Sequence, residues 1–151
     1  MSGRAEKNWR PGGLALLIAA LALAATGCGD LSNDELNRGV ESLSALAAQG
    51  QLVASGVARD GTKSTYARVM AKTLGEEAEH EAEKLADATP EDGIVEERGA
   101  AVAVAGEISD LLSELQTYPG DEHHGLLVQR HLVESQEKAD AIVARLSGDA
   151  P

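Results

Sequence analysis

Residues 32–58 read SNDELNRGVESLSALAAQGQLVASGVA, and their spacing predicts one long amphipathic helix. Leu36, Val40, Leu43, Ala47, Gly50, Ala54 and Val57 fall alternately four and three apart. That rhythm puts them on one stripe of a helix packed along its whole length. Leu46 and Val53 widen the stripe, and Gly50 on it allows close approach of a partner. Ser32 and Glu35 stand three apart at the start. At this spacing a hydroxyl caps the third helical amide while the carboxylate returns to the cap's own N–H. Arg59-Asp60-Gly61 ends the element. Most of the stability of such a helix comes from packing its apolar face on partners, so the rest of the chain has to supply them.

Three further periodic segments do so. With Thr62 as cap, a second helix is expected to about Ala88, with Tyr66, Met70, Leu74, Ala78, Ala82 and Leu85 on its apolar face. Thr89-Pro90-Glu91-Asp92 reads as a cap, a proline at the first helical position and acids in the first turn. A third helix is then expected over 90–117, with Ile94, Ala101, Ala105, Ile108, Leu112 and Leu115 inward. Gly99 and Gly106 share one side of it, where small residues would admit a neighbouring backbone. Tyr118-Pro119-Gly120-Asp121 is a turn and a cap. The fourth helix, 122–146, turns Val128, Leu132, Ser135, Ala139, Ile142, Val143 and Leu146 inward and stops at Ser147-Gly148. Four helices of about 25 residues joined by short turns predict an all-α, antiparallel up-down-up-down four-helix bundle over 33–148.

The segment before the bundle has a different character. Arg4, Lys7 and Arg10 precede an uncharged stretch from Pro11 to Cys28, whose core is Leu14 to Ala25, LALLIAALALAA. Basic residues followed by a short apolar run are the order of a secretory signal. A membrane-spanning helix needs about 20 apolar residues to cross roughly 30 Å of hydrocarbon. This run is shorter, and Gly27, Gly29 and Asp30 close it.

Ala25-Thr26-Gly27-Cys28 resembles the lipobox of bacterial lipoproteins, in which small residues precede a cysteine. Ala25 stands where that pattern commonly has leucine. The resemblance implies diacylglycerol transfer to the thiol of Cys28, cleavage between Gly27 and Cys28, and acylation of the new amine, commonly by palmitate. It covers residues 1–28 alone. It divides the chain into a signal peptide (1–27), a lipidated tether (28–32) and the bundle, on the extracytoplasmic side of a cell membrane. Two acyl signals give stable anchoring where one gives only marginal binding. Cys28 is the one cysteine of the chain, which excludes an intramolecular disulfide.

Composition narrows the functional classes. From Cys28 onward the chain carries 10 Lys and Arg against 24 Asp and Glu, a net charge of −14. Such a domain is repelled by nucleic acid and by anionic lipid surfaces. The expected partners are therefore the membrane, through the lipid, and an unidentified protein or small ligand, with no nucleic acid. With Trp9 in the signal, Tyr66 and Tyr118 are the only aromatics left. The core must be aliphatic, which favours close-packed helices over a sheet.

Motifs for chemistry are sparse. The chain has no Gly-x-Ser-x-Gly elbow, no glycine-rich phosphate loop and no His-Glu-x-x-His. The sharpest candidate is Glu77-Ala78-Glu79-His80, inside GEEAEHEAEK (75–84). It resembles the Glu-x-x-His signature of ferritin-like metal-binding bundles, which implies Glu77 and His80 as metal ligands. The family uses that motif on two helices with a further Glu on each of the others, whereas here it occurs once. Helix periodicity turns His80 towards solvent and Glu77 and Glu81 partly inward, with Lys84 one turn from Glu81. A solvated helical face is the plainer reading. Asp121, Glu122, His123 and His124 form a polar helix start, and alanines and glycines on facing stripes leave open a groove for an apolar ligand. The expectation is a non-enzymatic binding module without a cofactor, with metal binding through Glu77 and His80 as the alternative.

Overall fold

The structure, a computed structural model, describes residues 30–148; the export segment and Cys28 lie outside the described residues. Four helices follow one another: α1 (Asn33–Ala58), α2 (Ser64–Asp87), α3 (Val95–Thr117) and α4 (Glu122–Leu146). At 1.5 Å per residue they are about 35–39 Å long. Each packs on its sequence neighbour, and α4 closes the ring against α1. The chain ends meet as an up-down-up-down path requires. At one end Asn33 of α1 reaches Leu146 of α4, and at the other Gly125 of α4 lies against Ala54 and Ala58 of α1. The molecule is an all-α four-helix bundle.

The reading of α1 holds residue by residue. Its stripe is buried throughout, Leu46 and Val53 included. Ser32 accepts from the Glu35 amide and Glu35 returns to the Ser32 N–H, a complete capping box. Leu36, Val40, Leu43, Ile108, Leu112, Leu115, Val128 and Leu132 form the middle of the core, all inaccessible. Eight fully buried alanines fill the space between them, which lets the helix axes come close with no aromatic filler.

Helix α2 buries Leu74, Ala78 and Leu85 as predicted but differs from its predicted face elsewhere. Tyr66 is 56% exposed, and Met70 and Ala82 are only partly covered, while Ala67, Ala71 and Gly75 are buried. The buried face has turned towards the smaller residues because they let α2 and α3 approach. A β-carbon on Gly75 would rest in ordinary contact, 3.5 Å from Leu112 Cβ. The cap also shifts. Lys63, not Thr62, occupies the N-cap position, with no side-chain hydrogen bond. Thr62 instead folds its hydroxyl over Gly56, at the turn where Asp60 takes a positive φ of 49°.

The start of α3 is the larger correction. The helix begins at Val95, not at Pro90, and Thr89 does not cap it. Residues 89–91 are engaged elsewhere: Leu31 N–H donates to Thr89 O (2.6 Å) and Glu91 N–H donates to Leu31 O (3.1 Å). Backbone held in that parallel bridge cannot also be helical. Gly93, with φ of 98°, then turns the chain into the helix. The segment expected as a tether thus belongs partly to the domain, since Leu31 is buried with the core.

Candidate functional site

The sequence-derived metal candidates do not converge. His80 is exposed on the outer face of α2 as its periodicity predicts, but Glu77, expected partly inward, is exposed as well, because the buried face of the helix runs through Ala71, Leu74, Gly75, Ala78 and Leu85. Among the described residues no three or more His, Asp or Glu side chains form a group able to hold a metal ion. Glu81 is the acid of this stretch that leans inward, its side chain 14% exposed. It lies over Gly39 of α1 and takes an ion pair from Lys84 at 3.0 Å. The acid-rich run is therefore a solvated helix face whose inner edge covers α1.

The histidines of α4 serve the helix start. Asp121 Oδ1 accepts from the His124 amide at 2.9 Å, the expected cap. That bond holds the Asp121 carboxyl below its ordinary range, as the bond from Ser32 does for Glu35. The His124 ring stacks on Tyr118, centroids 4.2 Å apart, and Nε2 stands 3.8 Å from Glu114 Oε1. Nδ1 is 3.2 Å from Asp121 Oδ1 without the alignment of a hydrogen bond. The cluster fixes the α3–α4 turn.

Surface hollows are open rather than enclosed. One, of about 360 Å³, lies between α3 and α4 and is lined by Glu107, Asp110, His131, Glu134, Ser135 and Lys138. Lys138 reaches Glu107 across it at 2.6 Å, while Asp110, His131 and Glu134 stand on its exposed rim. A second, of about 320 Å³, follows Leu126, Gln129, Arg130 and Val133 on the outside of α4. The groove imagined for an apolar ligand is filled where Gly50 would have lined it. Leu132 Cδ1 and Leu112 Cδ2 stand 2.9 and 3.0 Å from the place of its missing β-carbon. No helix among the described residues is long and apolar enough to cross a membrane.

What sequence reasoning missed is the junction at Leu31. It is 7% exposed and held by two backbone bonds to the α2–α3 loop. The nearby Asn33 amide donates to Leu146 O at 3.2 Å, which adds the end of α4. The entry of the chain into the domain is thus fixed to two elements at one end of the bundle, the α2–α3 loop and the end of α4. The one available signal was an isolated leucine between Asp30 and the Ser32 cap, a common place for a residue that staples a helix start. In comparisons with known proteins, the chain matches no family model, no curated protein and no solved structure.

Proposed function

We propose that the chain is a lipoprotein anchored through Cys28 at the extracytoplasmic face of a membrane, and that its bundle is a non-enzymatic module for binding a protein or small ligand. The observation that carries this reading is the order of basic residues, short apolar run and Ala25-Thr26-Gly27-Cys28 immediately ahead of the folded domain. Support comes from the way the domain starts. Leu31, three residues after the cysteine, is packed with the core of the bundle, so a lipid on Cys28 would hold the domain close to the bilayer. The binding role is the reading that asks least of the architecture: among the described residues titratable side chains lie on exposed helix faces, in caps and ion pairs, or around the open α3–α4 hollow. The membrane contact is the lipid, because the acidic surface does not attract anionic headgroups.

The test is processing and partition of Cys28→Ala in a bacterial host. The parent chain is expected to be cleaved and recovered with membranes, and the variant to accumulate as the longer precursor. Normal cleavage and membrane recovery of Cys28→Ala would overturn the anchor.

A further inference from the structure

The junction at Leu31 carries a consequence for orientation, resting on the lipid anchor proposed above. We propose that the bundle stands on its α2–α3 end: loop 88–94 faces the bilayer, and the α1–α2 and α3–α4 turns are held away from it.

Leu31 is buried and bonded through both its N–H and its C=O to Thr89 and Glu91. Only Cys28, Gly29 and Asp30 stand between Leu31 and the lipid in the sequence. Three Cα steps span at most about 11 Å. A longer tether would let the domain roam and present any face; this one pins a single end beside the headgroups.

Charge then decides between standing and lying. Asp34, Glu35, Asp87, Glu91 and Asp92 are exposed around the pinned end, so that end gains nothing from sinking into an anionic surface. Lying down would be worse. Surface potential acts within about 8 Å at physiological salt, and a prone bundle would bring a whole side of a domain of net charge −14 into that layer. Standing exposes only one end to it. The opposite end, about 35–39 Å away by helix length, carries exposed Tyr66, Tyr118 and His123. It becomes the part of the molecule most accessible to a soluble partner.

The experiment uses the full-length chain, expressed and matured in a bacterium and reconstituted into vesicles containing anionic lipid and spin-labelled headgroups. A fluorophore is placed on Asp92→Cys in the α2–α3 loop or on Glu122→Cys at the α3–α4 turn. Headgroup quenching is expected to be at least threefold stronger at 92 than at 122. Inserting 15 Gly/Ser residues between Gly29 and Asp30 leaves Leu31 docked and should erase most of that contrast. Equal quenching at the two positions in the lipidated chain, or stronger quenching at 122, overturns the orientation alone. A chain whose amino-terminal peptide carries no lipid mass overturns the anchor, and the orientation with it.

Discussion

The seam between α1 and α4 and the seam between α2 and α3 are built differently. The first is stitched along its length. Asn33 bonds to Leu146 O at one end, Ser44 to Asp140 at 2.7 Å, and Gln51 to Leu132 O and Gln136 in the middle. At the far end Gly125 admits the α1 backbone: a β-carbon there would sit 2.7 Å from Ala58 N and 3.0 Å from Ala54 O. The second seam is clipped at one end, where the Arg98 guanidinium caps α2 through Leu85 O and Ala86 O. Further along it relies on small residues, with an open groove of about 140 Å³ beside Ala71, Gly75, Ser109 and Gln116. The helices of the first seam also start with side-chain caps, Ser32 and Asp121, while Lys63 and Ile94 provide none for α2 and α3. Specific polar contacts and a tight glycine fix the register of one pair; apolar packing alone holds most of the other.

Substitutions separate the two seams. Leu112 belongs to both, since it approaches Gly50 of α1 and Gly75 of α2 and is fully buried. Leu112→Ala should cost about 2–5 kcal/mol in urea unfolding, as large-to-small changes in close-packed cores do. A loss under about 1 kcal/mol would mean that the seams do not share one core. Gly125→Ala should cost about 1–3 kcal/mol despite the better helix propensity of alanine, because Ala58 N and Ala54 O, which the new methyl meets, are backbone and cannot rotate away. Gly75→Ala on the other seam should cost far less, which the same unfolding assay reads directly. Gly106→Ala has open space around the new methyl and should raise stability by about 0.5–1 kcal/mol.

Acid gives a smaller effect on the capped pair. Hydrogen bonds from the amides of Ser32 and His124 hold Glu35 and Asp121 below their ordinary values of 4.5 and 3.8. A carboxylate with a lowered folded pKa contributes stability above its unfolded pKa, and that contribution fades as pH falls through the folded value. Amide exchange at the first turns of α1 and α4 should therefore accelerate relative to those of α2 and α3 below about pH 4. Uniform acceleration at all four starts would dissolve the distinction.

Much of the fold was legible because the helices of the stitched seam follow simple rules. The four-three rhythm of α1, its Ser32–Glu35 box and the Asp121 cap all appear where spacing places them. The misreadings sit where a long-range contact overrides a local signal. Thr89-Pro90 has the local chemistry of a helix start, but its backbone is claimed by Leu31, 58 residues earlier in the chain. Gly99 and Gly106 look like a close-approach face, yet only open space surrounds them, whereas Gly125 was not singled out and makes the closest approach of a glycine to a neighbouring backbone. A glycine's role depends on what lies opposite, which one helix cannot reveal. For function, the motif in the acid-rich run of α2 pointed to Glu77 and His80; periodicity turned only His80 outward, and the packing of α2 through its alanines and Gly75 exposes Glu77 too. The tether of 28–32 was already short in the sequence; the docking of Leu31 on Thr89 and Glu91 shortens it further and fixes which end of the bundle it leaves from.

The anchor is tested most directly by the mass of the mature amino-terminal peptide from the membrane fraction of a bacterial host. The account predicts a peptide beginning at Cys28 and carrying a thioether-linked diacylglycerol with a further acyl group on the amine. A free thiol at Cys28, or a chain that still carries residues 1–27, would contradict it.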